Sequence, residues 1–137
     1  VRNGKKEHLD FVPRLKEARF LTKHYEINSM IDTSDGIAPD LGRICAESDT
    51  GCIVYSGAIP LSKGLSLKDA LYYGESFELL FTMPIGEVRK LFRSKELRKK
   101  KMRFYIIGEI TRKRSGRRLI EENGRPSKLR MEGFKHL

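Results

Sequence analysis

The feature that most limits how this chain can fold is the bundling of its apolar residues. They fall into short β-rich runs and into stretches of helical periodicity, and the two kinds do not alternate strictly. Ser29-Met30-Ile31, Cys52-Ile53-Val54-Tyr55, Phe77 to Met83 and Phe104 to Ile110 each read as a strand, the third stopped by Pro84. Helical spacing covers Pro13 to about Tyr25 (Leu15, Ala18, Leu21, Tyr25) and the stretch from Asp35 to about Glu47 (Ile37, Leu41, Ile44, Cys45). It returns over Leu67 to Tyr73, and over Gly86 to Arg98 with Val88, Leu91 and Phe92 inward. Asp49-Thr50-Gly51 makes a turn and Pro60 to Ser66 a loop. Arg117 to Glu122 and Arg125 to Arg130 flank Asn123-Gly124, a pair that favours a type I′ hairpin. This irregular order predicts an α+β domain, a mixed β-sheet with packed helices.

The 137 residues, 39% of them apolar, suffice for one compact core. Residues 1–12 read as a polar lead-in or linker and residues 13–137 as a single domain. The absence of an initiator Met points to a fragment or a processed chain. No run approaches the roughly 18 apolar residues a membrane helix needs, and no apolar core follows Val1 to Lys6, so neither a membrane span nor a signal peptide is expected. Cys45 and Cys52 form no C-x-x-C pair and have no neighbouring His, which disfavours zinc. Both read as small core residues of a protein in a reducing, cytoplasmic compartment. His8, His24 and His136 show no metal-ligand spacing.

The net charge of +10 is local. Between Arg89 and Arg118 stand 14 Lys or Arg against two acids, Glu96 and Glu109, a balance of +12; the rest of the chain carries −2. Such a window suits a polyanion, and a non-catalytic polyanion-binding module is one reading. Aromatic residues interleave poorly, no nucleic-acid motif accompanies the bases, and charge runs usually face water, so a nucleic-acid partner is disfavoured.

The segment richest in chemistry is Asp32-Thr33-Ser34-Asp35-Gly36, where a strand ends and a helix begins. Amide groups at a helix N-terminus favour anions such as phosphate, and Gly36 allows close backbone approach. Ser34 could donate to a phosphate. Asp32 and Asp35, three apart on a tight turn, can hold Mg²⁺, which takes few carboxylates plus waters and phosphate oxygens. The same residues also make an ordinary helix start, with Ser34 or Asp35 as cap and Pro39 in the first turn. A second cluster, Gly74-Glu75-Ser76-Phe77-Glu78, reads by itself as a turn with one strand carboxylate, and Gly133 to His136 as a tail.

Taken together these segments resemble a family. Ile31 to Leu41 resembles the D-x-S-D-G-L-x-x-D-L segment of the thiamine-monophosphate kinases. Tyr73 to Phe81 resembles their G-G-E-D-Y-E-L-L-F, Ile106 to Ile110 their I-G-x-I/V strand, and Gly133-Phe134-Lys135-His136 their closing G-[W/F]-x-H-F. The resemblance runs over about residues 29–137, in matching order. It implies the C-terminal domain of a two-domain, dimeric enzyme of the aminoimidazole ribonucleotide synthetase-related superfamily, without its N-terminal ATP-binding domain. It implies ATP-dependent phosphorylation of thiamine monophosphate to thiamine diphosphate with no covalent enzyme intermediate, so no residue is assigned as catalytic. On the same grounds Asp32 and Asp35 would bind Mg²⁺, Ser34 and Gly36 would meet ATP phosphates, and Glu75, Ser76 and Phe134 would line the substrate pocket. Ser76 stands where the family has Asp, and Tyr73 where it has Gly. That departure leaves room for another ATP-dependent relative with a different small phosphorylated substrate. The isolated chain is expected to be inactive.

Overall fold

A computed structural model describes residues 14–33, 35–61, 63–72 and 79–129. Ser34, Glu75, Ser76, Phe134 and the lead-in over 1–12 lie outside those residues. The described residues fall into two compact units, one within 1–32 and 77–103 and one within 33–76 and 104–137.

In the first unit, α1 (Arg14–His24) is followed by β1 (Ser29–Asp32), β3 (Leu79–Thr82), α4 (Ile85–Arg93) and α5 (Lys95–Lys100). β1 and β3 pair antiparallel with Ser29 opposite Thr82 and Asp32 opposite Leu79. The hydroxyls of Ser29 and Thr82 lie 2.5 Å apart, and the Asn28 N–H donates to the Thr82 carbonyl. Among the described residues of this unit, Phe20, Leu21, Leu91 and Met102 are the buried apolar side chains. His24 and Tyr25 set their rings against Phe20 at centroid distances of 5.2 and 6.0 Å.

The basic helix expected over 86–98 is two helices. Ser94 takes an extended backbone (φ −69°, ψ 128°), and its hydroxyl accepts the Glu96 N–H, so it ends α4 and caps α5. Periodicity alone could not reveal this break, because the bases continue through it. Within α4, Val88 and Leu91 turn inward as expected, but Phe92 is 46% exposed.

The second unit holds α2 (Ile37–Ser48), β2 (Thr50–Tyr55), a 3₁₀ turn (Ser56–Ala58), α3 (Leu67–Tyr72), β4 (Gly108–Arg112), β5 (Arg117–Ile120) and β6 (Pro126–Lys128). Its sheet runs β4-β2-β5-β6. β2 pairs antiparallel with β4 and parallel with β5, and β5 pairs antiparallel with β6, so the sheet is mixed as the order of elements predicts. α2 buries Ala38, Leu41, Ile44 and Cys45, while Cys52, Val54, Ile59, Leu71 and Leu129 complete the apolar core. The turn expected over 49–51 is compressed into Asp49. That residue closes α2 in the left-handed conformation (φ 56°), and its N–H reaches the Cys45 carbonyl.

α3 is set by a reciprocal cap. The Asp69 N–H donates to the Ser66 hydroxyl, and the Ser66 N–H donates to the Asp69 carboxylate. Two expectations are corrected in the sheet. The strand expected from Phe104 begins at Gly108; before it Ile107 accepts the Tyr55 N–H, while Tyr105 and Ile106 lie exposed. The turn at Asn123-Gly124 is not type I′, which needs positive φ at both residues. Here Gly124 has φ 83° and Asn123 does not share that sign. The Gly124 N–H donates to the Glu121 carbonyl and the Glu121 N–H to the Arg125 carbonyl, giving a longer loop whose left-handed residue is the glycine.

Candidate functional site

Asp32 closes β1 in the first unit with its side chain exposed. Asp35 and Gly36 open the second unit at the head of α2. The residue that starts the helix is Gly36, not Ser34 or Asp35, and no side-chain cap hydrogen bond forms there. Gly36 has φ 117° and ψ 162°, a backbone that favours glycine. A Cβ there would fall 2.4 Å from the Leu71 carbonyl oxygen, so the close approach this glycine permits is to α3.

Asp35 stands in a ring of charge. The buried Asp40, in the first turn of α2, accepts the Asp35 N–H at 3.1 Å on Oδ2 and Arg43 Nη1 on Oδ1. The other guanidinium nitrogen of Arg43, Nη2, donates to Asp35 Oδ2 at 2.5 Å. One arginine thus joins a fully buried carboxylate to one that is 52% exposed. The hydrogen bond with Asp35, then the charges of Asp40 and Asp35, hold Arg43 above its ordinary value against partial desolvation. Sequence reading gave neither Asp40 nor Arg43 a role. The available signal was an acid and a base three apart on a helix, a spacing that places them on one face.

The donor set suits a hard cation. Asp32 and Asp35 offer exposed carboxylate oxygens, and Asp35 already carries a positive group on Oδ2. Among the described residues no group of three or more His, Cys, Asp or Glu converges. A Mg²⁺ on Asp35 would draw further ligands from water and from phosphate oxygens. The cysteines behave as expected of core residues: Cys45 and Cys52 are free and buried. The Cys45 thiol donates to the Gly51 carbonyl at 3.8 Å, and the neighbouring Cys45 together with burial pushes the Cys52 thiol above its ordinary range. Among the described residues, no helix is long and apolar enough to cross a membrane.

These features define an α+β protein, with a mixed sheet and a charged head of α2 in its second unit. The chain belongs to the family of AIR synthase related protein, C-terminal domain, whose profile matches residues 4–121. It is similar to the thiamine-monophosphate kinase of Buchnera aphidicola subsp. Schizaphis graminum, 34% identical over 139 residues, covering 96% of this chain and 42% of that protein. The Escherichia coli K12 thiamine-monophosphate kinase is likewise 34% identical over 139 residues, covering 96% of this chain and 41% of its own length. The chain therefore spans about two fifths of these relatives. Among solved structures, it is similar to thiamine-monophosphate kinase from Stenotrophomonas maltophilia K279a, with TM-score 0.59 and 25% identity over 76% of this chain and 33% of that one. AaThiL complexed with AMPPCP and TMP shares the fold, with TM-score 0.63 and 24% identity over 90% of this chain and 38% of that one.

Proposed function

We propose that this chain is the C-terminal, substrate- and metal-binding part of an ATP-dependent thiamine-monophosphate kinase. The observation that carries this reading is the head of α2. There Asp35 is a half-exposed carboxylate that already holds a cationic group, in a sequence context 34% identical to curated kinases of that name. The terminal phosphoryl group of ATP passes to a phosphate oxygen of thiamine monophosphate, leaving ADP and thiamine diphosphate. The protein's task is positioning and charge neutralisation. Asp32 and Asp35 would hold Mg²⁺, which screens the phosphate charges when bound. Ser34 and Gly36 would meet ATP phosphates, and Glu75, Ser76 and Phe134 would line the acceptor pocket.

The same reading assigns the rest of the nucleotide site to an N-terminal domain outside these residues. It makes residues 13–137 one C-terminal-type domain, the whole protein a homodimer, and its compartment the cytoplasm. A second reading, an ATP-dependent relative with another phosphorylated acceptor, is favoured by Ser76 and Tyr73, which replace the family's Asp and Gly. Thermal-shift screening of phosphorylated metabolites on the intact protein separates the two. Stabilisation by an aminoimidazole compound and none by thiamine monophosphate would select the second.

The main test is thiamine diphosphate formation by the intact protein with ATP and Mg²⁺. Asp35→Asn is expected to lower the rate by about two orders of magnitude or more, with little change in thermal unfolding, because it removes charge aimed at the reacting phosphates. Full activity in that variant would reduce the corner to a helix start.

A further inference from the structure

We propose that Arg43 is a resident counter-cation of the metal corner, a positioning residue that occupies Asp35 and competes with a divalent cation for it. The inference rests on the reading of Asp35 as a metal ligand and adds what controls that ligand. Three observations carry it. First, Arg43 donates to Asp35 Oδ2 at 2.5 Å, so a lone pair a cation would use is already engaged. Second, Arg43 is held at its other nitrogen by Asp40, whose carboxylate is fully buried. A buried carboxylate strongly favours a nearby cation, so Arg43 has a fixed seat when it releases Asp35. Third, the Arg43–Asp35 contact is half exposed on both sides, and exposed ion pairs are weak enough for a divalent cation to displace.

Asp40 has a second hand in the same device. Its other oxygen takes the Asp35 N–H at 3.1 Å. The backbone of Asp35 is thereby fixed independently of what its side chain holds, and exchange of guanidinium for metal requires only a local change. Without metal, Arg43 offsets the charge of Asp35. With metal bound, Arg43 keeps its bond to Asp40 and is freed toward the solvent side of the corner.

The test is Mn²⁺ binding to the intact protein, read by electron paramagnetic resonance of the free ion. Arg43→Gln keeps a hydrogen-bond donor for Asp40 and removes the charge. It is expected to tighten Mn²⁺ binding about two- to fivefold, the worth of one exposed ion pair. Arg43→Lys, which keeps the charge on one nitrogen for Asp40 but loses the second for Asp35, is expected to tighten binding less than Arg43→Gln. Unchanged or weaker binding in Arg43→Gln would overturn the proposal. Asp35→Asn separates its failure from that of the underlying reading. If Asp35→Asn leaves Mn²⁺ binding intact, Asp35 is no ligand and both fall; if Asp35→Asn abolishes binding while Arg43→Gln does not tighten it, only the role of Arg43 falls. A second measurement needs no variant: phenylglyoxal modification of Arg43, followed by mass spectrometry, is expected to speed up at saturating Mn²⁺. An unchanged rate at saturation counts against the exchange.

Discussion

The head of α2 and the surface of α4 and α5 are both dense in charge, yet they treat it in opposite ways. At the head of α2 three charges close a ring, with buried Asp40 at its base and Arg43 bridging to Asp35. Over residues 89–103 nine Lys or Arg stand exposed beside one acid, Glu96. Among the described residues one ion pair serves them, Lys90 with Glu87 at 3.0 Å, and Lys100 lies 5.6 Å from the centre of the Phe20 ring. The difference is burial. A carboxylate with no solvent must have its partners built in, whereas a lysine in water has its partner in water. Charge with a fixed address marks a site; charge without one sets solubility and weak long-range attraction.

The comparison makes the α2 corner the part that should respond most to a small change. Gly36→Ala adds one methyl group where the Leu71 carbonyl oxygen stands 2.4 Å away, at a backbone φ of 117°. The backbone strain alone is worth about 1–3 kcal/mol, and the clash with α3 adds to it. Urea unfolding of the intact protein should show the loss in the unit that contains α2. A Gly36→Ala protein as stable as wild type would mean that this corner is no more constrained than the basic surface.

Much of this contrast was legible in the sequence. The mixed-sheet α+β class follows from the order of strand-type and helix-type runs, and β1, α2, β2 and α3 fall within a few residues of the expected bounds. Asp32 ends β1, and Asp35 and Gly36 immediately precede α2, within a few residues of the bounds read from the sequence. The ring through Arg43 was not legible. It joins residues eight apart, and only the folded head of a helix brings Arg43 back over Asp35. The split at Ser94 was missed because local capping won over a continuing charge pattern. The strand start at Phe104 was missed because an apolar run shows β-propensity whether or not a neighbour pairs with it. Glu75, Ser76 and Phe134 remain expectations of the resemblance, outside the described residues.

Glu87, on α4, does have fixed partners. Glu87 Oε1 accepts the Glu26 N–H at 2.8 Å and Oε2 pairs with Lys90. The backbone bond first, and then Lys90, hold its carboxyl below the ordinary glutamate value. A carboxyl depressed in the folded state binds its proton more readily when unfolded. Its contribution is therefore present above the ordinary glutamate range and is lost as the pH falls through the folded value. Thermal unfolding of Glu87→Gln should depend less on pH over that acidic interval than wild type, with the two curves converging at the acid end. Parallel curves would place Glu87 with the solvated charges around it.

The smallest effects belong to those solvated charges. Arg89 and Arg93 are four apart on α4, and Lys95 and Lys99 four apart on α5, so each pair sets like charges side by side. Such pairs cost about 0.2–0.5 kcal/mol and are screened by salt. Replacing Arg93 and Lys99 by Gln should therefore leave stability unchanged or slightly raised at low salt, with the gain vanishing at high salt. The same double variant should weaken the low-salt binding of heparin, a test polyanion, and change little at physiological salt, where nonspecific attraction is screened. A loss above about 1 kcal/mol would exceed what surface substitutions usually do. It would reveal fixed partners for these bases and erase the distinction between the two regions.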